Sequence, residues 1–391
     1  MEITFTSTSE KFTTTIKDKN SYIYKLLSTK TNENHSNEFD IDEAFSKVSE
    51  DDQNKENVIH ALNYLTKKSL YKTIRGLEFL GLLEENIEIL DQLKHIKYDP
   101  EEYFSPYISS VIMKHFGVYK TLVMITKGLL LNYEGDLSVQ NEQITQELLD
   151  TCQGCLTIYK LNARNNSKIN NIDFCAETLE ELEASRSCGI DQKGIKNATK
   201  LKKLDAWYNP KINSVDFCAE TLEELDASGD CGIDQTGIQH GTKLKILHAK
   251  DNSKINNIDF CASTLEELWA YGSCGIDQNG IQHATKLKKL NVWGSTKINS
   301  VDFCAETLEE LEASRSCSID QNGIKHATKL KILSARDNSR IKSIDFCAET
   351  LEELNASDSC GIDQIGIQKA DKLKILYTWR NPKITTNSFF I

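Results

Sequence analysis

Twelve cysteines are the first residues whose spacing suggests chemistry. Ten of them fall into two series at intervals of 43 residues: Cys188, Cys231, Cys274, Cys317 and Cys360, and Cys175, Cys218, Cys261, Cys304 and Cys347. The other two, Cys152 and Cys155, form a C-x-x-C, a spacing used by zinc and redox sites. Zinc needs four ligands, and no second pair follows at a usual spacing. A shift of 43 residues places Cys152 on Ile195 and Cys155 on Ala198, both apolar positions. Structural thiols are therefore expected, with no metal and no other cofactor.

Other candidates dissolve in the same way. The pair Glu180–Glu181 has the residue types of an acid–base couple, but four further copies recur at the 43-residue interval. A catalytic pair is not written five times over. Between the copies the equivalent position holds Lys202, Lys245, Lys288, Lys331 and Lys374, so opposite charges are expected to alternate across neighbouring strands and fix register. Gly189 to Gly194 gives a G-x-x-x-x-G, but Ile195 follows where a phosphate loop needs lysine. His240, His283 and His326 recur at 43, with Asn197 and Lys369 in register, and read as solvated residues of an outer surface. Neither G-x-S-x-G nor H-E-x-x-H is present, and no Cys-His-Asn arrangement stands out. No enzymatic activity is expected.

The net charge of −12 argues against nucleic acid and against anionic membrane, both of which attract a basic face. The opening MEITFTSTSEKF has neither a basic nor an apolar signal region, and the apolar TLVMITKGLLLNY is short and carries Lys127. The expectation is a cytoplasmic or nuclear protein, not secreted and without a membrane span.

What must position all these residues is a repeat. TLEELEASRSCGIDQKGI from Thr178 returns, slightly altered, at Thr221, Thr264, Thr307 and Thr350. Each 43-residue unit splits into two similar halves that follow L-x-x-L-x-A-x-x-(N/S)-x-x-I, as in the alignment of Leu179, Leu182, Ala184 and Ile190 with Leu201, Leu204, Ala206 and Ile212. Eleven half-units are legible, ending with LKILYTWRNPKITTNSFFI. Around the second leucine, Leu204 and Ala206 alternate with Lys203, Asp205 and Trp207, a period of two that predicts a short strand. Asn166, Asn209, Asn252, Asn338 and Asn381, with Ser295 once in their place, are expected to bond the backbone of the following bend. Ile195, Ala198, Val215 and Phe217 are expected to face inward from the returning segments. Members of one cysteine series would lie two strands apart, about 9.5 Å, whereas a disulfide needs Cα atoms closer than about 7 Å. Buried, reduced thiols follow, as suits a reducing compartment.

These half-units of 21 and 22 residues resemble the leucine-rich repeat family over Leu156 to Ile391, with C-G-I-D-Q-x-G-I most similar to its cysteine-containing subclass. The resemblance implies an α/β solenoid with parallel strands on a concave face that binds a partner, usually a protein. Residues 1–97 do not repeat. Their order is two alternating strands in EITFTSTSEKFTTT, a third in NEFDID, then helical patterns in NVIHALNYLTKK and TIRGLEFLGLLEENIEILDQL. This resembles the small α+β BTB/POZ and Skp1-like superfold, carried by Ile59, Leu62, Tyr64, Leu65, Phe79, Leu80, Gly81 and Leu82. Residues 98–155 read as a helical connector ending in an N-terminal cap, NEQITQELLDT. The last half-unit closes on Phe389, Phe390 and Ile391, with Phe389 in register with Phe217, so its edge is expected to be adhesive.

Invariance between copies marks core and turns; variation falls where a partner is the constraint. The outward positions carry Arg164, Arg186, Asp205, Trp207, Tyr208, His248, Lys250, Trp269, Tyr271, Trp293, Arg315, Arg336, Tyr377, Trp379 and Arg380. All four tryptophans and five of the seven arginines are among them, and these residue types dominate binding hot spots. The expected function is a non-enzymatic interaction protein holding a partner protein on its concave face. Its sharper form is a substrate adaptor whose N-terminal module docks on a cullin-type ubiquitin ligase or self-associates. The alternative is a structural or assembly protein that uses the solenoid as a building surface.

Overall fold

A computed structural model describes residues 2–6, 11–15, 38–40, 74, 83–84, 87–96 and 103–385. The chain divides into two compact units, 1–134 and 135–391.

In the first unit, β1 (Glu2–Thr6) pairs antiparallel with β2 (Lys11–Thr15) and parallel with β3 (Glu38–Asp40). These are the three strands read from the alternating patterns. The residues expected to carry the two BTB-like helix motifs lie outside the described residues. A 3-10 helix spans Ile87–His95. Two α-helices follow from the apolar stretch, α1 (Pro106–Phe116) and α2 (Val118–Thr126). Ser105 caps α1 by accepting from the Ile108 amide at 3.2 Å, and Pro106 takes the first helical position, where no amide donor is needed. Gly117, at a φ of 78°, separates the two helices.

The second unit is one open sheet of twelve strands in sequence order. They are β4 (Tyr133–Ser138), β5 (Leu156–Asn162), β6 (Glu181–Glu183), β7 (Lys203–Asp205), β8 (Glu224–Asp226), β9 (Ile246–His248), β10 (Glu267–Trp269), β11 (Lys289–Asn291), β12 (Glu310–Glu312), β13 (Ile332–Ser334), β14 (Glu353–Asn355) and β15 (Ile375–Tyr377). Pairing is parallel and leucine meets leucine, as in Leu182 with Leu204 and Leu268 with Leu290. From β4 to β14 each turn buries its second leucine, the alanine two residues on (valine at Val139 and Val292) and the isoleucine that closes the bend, whereas in the last turn Leu376 is half-buried and Thr378 replaces the alanine. Full burial of one leucine or isoleucine stabilises by about 1.5–3 kcal/mol, but no single half-unit encloses these side chains, so neighbouring coils supply the core. This architecture, α/β with one parallel sheet, fits a leucine-rich-repeat solenoid.

The repeated phrases have specific work on the side away from the strands. In D-Q-x-G-I, Asp191 Oδ1 accepts from the Gly194 amide at 2.8 Å and caps the one-turn helix Gln192–Ile195. Gln192 Oε1 accepts from the amides of Asn213 and Ser214 in the next half-unit, both at 2.9 Å. A Cβ on Gly237 would collide with the Asn213 carbonyl of the coil before it, so glycine is needed where coils touch. The buried asparagines clamp the bend: Asn209 Nδ2 donates to the carbonyls of Ala184 (2.7 Å) and Ile190 (3.1 Å), while its Oδ1 accepts from the Lys211 amide at 3.0 Å. Lysine and glutamate alternate as expected, with Lys202, Lys245 and Lys288 each 2.8 Å from a glutamate of the preceding coil.

Four sequence expectations need correction. The count of eleven half-units is one short: β4 is a further rung, in which Val139 donates to the Asn162 carbonyl at 2.8 Å. NEQITQELLDT, with α3 at Gln146–Thr151, is the return segment of that rung. Its bend is a residue shorter than the repeat motif, with Ile144 seven rather than eight positions after the central leucine, so the motif is not legible; as elsewhere in the sheet, the asparagine of the next coil, Asn166, donates to its Val139 and Ile144 carbonyls. Phe217 is half-buried rather than inside, because Val215 and Cys218 already fill the inner positions of that turn. Cys155 is also half-buried. Finally, the recurring histidines are exposed but not merely solvated: His240, His283 and His326 stand 2.8, 2.8 and 2.9 Å from Asp216, Asp259 and Asp302 of the preceding coil. Residues 386–391, including the apolar ending, lie outside the described residues.

Both cysteine series are buried, as is Cys152. Burial pushes Cys152, Cys218 and Cys231 up to about 12, and Cys188 and Cys317 up to about 11, so the nucleophilic thiolate is scarce at neutral pH. In native protein only Cys155 should react quickly with a thiol reagent, and denatured protein prepared without reductant should titrate all twelve. A denatured count of eight or fewer would contradict the spacing argument.

Candidate functional site

The side chains that face away from the core form three rows along the sheet. The first row is the residue after each central leucine, the second lies two residues further on, and the third follows directly. At the third row every loop from Asn165 to Arg380 has a left-handed φ, between 53° and 66°. Most rungs place glycine, aspartate or asparagine there, the residues that tolerate it. Arg186, Tyr208, Arg315 and Arg380 are the exceptions.

Three clusters bring the expected residues together. In the middle of the sheet, the His248 and Trp269 rings stack with centroids 4.1 Å apart and planes 18° from parallel. Tyr271 lies 6.3 Å from Trp269 and 6.0 Å from Trp293. Lys250 covers Tyr271 at 5.2 Å and Arg315 covers Trp293 at 4.2 Å. Trp269 and Trp293 come from adjacent strands but from different rows, and Tyr271 bridges them. Nearer the N-terminal end, Arg164 and Arg186 lie over Trp207 at 5.6 and 4.4 Å, with Tyr208 against its edge at 5.1 Å. At the other end Arg380 covers Trp379 at 4.0 Å, beside the exposed Tyr377. Arg336 stands apart, bound through Nε to Asp358 at 2.6 Å.

Sequence reasoning placed Asp205 on the outward face but missed the acidic floor to which it belongs. Glu183, Asp205 and Asp226 occupy the first row on three consecutive strands and line a groove of 530 Å³ across β4 to β9. Burial pushes the Glu183 and Asp205 carboxyls up, and repulsion from a neighbouring aspartate adds to it in each case. The signal was present in the outward column of the alignment, but without the groove these acids looked like the rest of a charged surface. His248 closes the row, with Nδ1 3.7 Å from Asp226 and Nε2 3.7 Å from Glu267. Burial alone would lower its pKa; the two carboxylates outweigh that and raise it, while Asp226 is held below the usual carboxylate range, chiefly by His248.

A raised histidine pKa contributes stability that is fully present below the unfolded value of about 6.5 and is lost as pH rises through the folded value. The cost of His248→Gln should therefore be larger at pH 5.5 than at pH 8. A proton NMR titration of the His248 ring should give a midpoint above about 6.5, and a midpoint below it would remove the carboxylate pairing.

Among the described residues no three His, Cys, Asp or Glu side chains group to hold a metal ion, and no helix is long and apolar enough to cross a membrane. The arrangement can stack rings, insert an aromatic ring into a partner and pair with charge.

No family model matches the sequence, and no curated protein matches it. Among solved structures the chain is similar to an internalin from Listeria monocytogenes, at 22% identity and a TM-score of 0.45, covering 67% of this chain and 77% of that one. It is similar to the yeast Rad7 and Elc1 complex, at 14% identity and a TM-score of 0.39, covering 83% and 84%. A functional domain of InlJ from Listeria monocytogenes, which includes a cysteine ladder, shows 17% identity and a TM-score of 0.30 over 63% and 66%. The solenoid assignment itself rests on the strand register and the buried ladder described above.

Proposed function

We propose that the protein is a non-enzymatic binding protein that holds a partner protein on the strand face of its solenoid. One observation carries this reading: the cluster of His248, Trp269, Tyr271 and Trp293 on the outward face, in which Trp269 is exposed and the other three are half-buried. The repeat supplies its own control. The positions equivalent to Trp269 in the other 43-residue units are Glu183, Asp226, Glu312 and Asn355, and those strands form equally well, so folding does not require tryptophan there. Aromatic residues near the centre of an interface are the usual energetic anchors. Twelve strands at about 4.8 Å make a face roughly 50 Å long, enough for a standard protein interface.

The finer form of the proposal is a substrate adaptor, with residues 1–97 docking on a cullin-type ubiquitin ligase or on a second copy. Affinity purification of the full chain with mass spectrometry tests it. Recovered cullin peptides favour the adaptor; capsid, cytoskeletal or self peptides favour an assembly role. In either case the partner held on the strand face should be recovered less when Trp269 is replaced by alanine, while a cullin docked on residues 1–97 should not change.

A further inference from the structure

The second row has a period that the 43-residue repeat does not impose. Its members on alternate strands are Arg164, Trp207, Lys250, Trp293, Arg336 and Trp379. Cation and tryptophan strictly alternate, so like residues recur every 86 positions, two full repeats apart. Each tryptophan has an arginine over its ring: Arg186 on Trp207, Arg315 on Trp293 and Arg380 on Trp379. These three arginines occupy the left-handed third row at φ of 60°, 60° and 55°, where Gly229, Gly272 and Gly294 serve other rungs. Arginine is a poor choice for that backbone. Among the described residues no ion pair involves Arg164, Arg186, Arg315 or Arg380, whereas Arg336 is paired with Asp358. Stacked guanidinium groups keep their N–H edges open to an acceptor.

We propose that this row binds an extended, polyproline-II-like segment of a partner protein, in which acidic and proline residues alternate at every third position. The proposal rests on the protein-binding reading above and specifies the ligand. Successive members of the row are two strands apart, about 9.6 Å. Three residues of polyproline II advance about 9.3 Å and return to the same face. Over the five steps from Arg164 to Trp379 the mismatch accumulates to about 1.5 Å, within side-chain reach. An α-helix returns to one face every seven residues, about 10.5 Å, and would be out of step by about 4–5 Å over the same length. Proline docks well on aromatic rings, of which Trp379 is exposed and Trp207 and Trp293 are half-buried, and carboxylates meet the cations between them, displacing Asp358 at Arg336. A single-stranded nucleic acid also stacks on aromatic rings and pairs with arginine. It is disfavoured here because its charge is continuous, and the neighbouring first row carries Glu183, Asp205, Asp226 and Glu312 on a chain of net charge −12. A peptide with one carboxylate in every six residues does not meet that repulsion along its whole length.

The test uses the full chain and synthetic labelled peptides of eighteen residues in a serine background, with glutamate and proline alternating at spacings from two to five, read by fluorescence anisotropy. A spacing of three should bind best. Trp207→Ala and Trp293→Ala should each weaken that peptide by about 30-fold, and Arg164→Glu should weaken it while circular dichroism stays unchanged. Lys325→Ala, exposed on the return segment away from the strands, should leave the spacing preference intact. A flat spacing profile, an optimum at another spacing, no binding at all, or tighter binding of a single-stranded oligonucleotide of eighteen nucleotides would each overturn the proposal. Captured partners that still depend on Trp269 while the peptide profile is flat would sink this inference alone; captured partners indifferent to Trp269, with the optimum at three, would sink only the central-cluster reading.

Discussion

Asn252→Ala should destabilise the solenoid by about 3–5 kcal/mol. The side chain is 1% exposed. Its Nδ2 donates to the carbonyls of Ala227 at 2.7 Å and Ile233 at 3.0 Å, and its Oδ1 accepts from the Lys254 amide at 3.0 Å. Alanine leaves three backbone groups without these partners, two of them carbonyls inside the bend. Each unsatisfied buried group costs about 1–3 kcal/mol, and in a solenoid a weakened rung loosens both neighbouring interfaces. The chain contains a natural comparison at Ser295, whose hydroxyl accepts from Lys297 at 3.4 Å but is too short to reproduce the amide donors. In the next half-unit Ser318 stands where the other copies have glycine, and its Oγ donates to the Thr296 carbonyl at 3.0 Å. Urea unfolding of Asn252→Ala would show the loss as a lower midpoint. A change under about 1 kcal/mol, in the range of ordinary surface substitutions, would mean that the ladder is not what closes the bends.

The second large effect concerns binding. Trp269→Ala should cost about 2 kcal/mol or more of affinity for the partner, with little change in unfolding midpoint. Trp269 is 36% exposed, and its indole N–H donates to Glu267 at 2.9 Å. What the fold loses is the stack on His248, and aromatic pairs of this kind contribute about 0.5–1.5 kcal/mol beyond area burial. Truncation removes the ring from the centre of the cluster and leaves Tyr271 without the partner on its other side. Trp293→Ala should act alike through loss of the Arg315 stack. Titration calorimetry against the captured partner, with thermal melts in parallel, separates the two quantities. Variants that unfold easily would reverse the inward and outward assignment; folded variants with unchanged affinity would move the binding site off this face.

The amino-acid order alone set out the repeat, its two halves, the strand at each central leucine and the burial of Leu204, Ala206, Ile195 and Ala198. It did so because five copies of one unit report which positions cannot vary, and those are the positions packed against the neighbouring coil. It also identified the outward column from which every expected binding residue comes. It did not show the rung at β4, whose bend departs from the repeat pattern and is recognisable only by its pairing with β5. Nor did it show which outward residues meet. His248 stacks on Trp269, Arg336 pairs with Asp358, and Arg315 lies over a tryptophan of the preceding rung. Those partners are 21 or 22 residues apart in sequence, on coils whose lateral offset and left-handed turn decide which side chains cross from one rung to the next. A repeat specifies a register along the sheet, but the contacts among its variable residues are made across it, and only the assembled solenoid sets those distances.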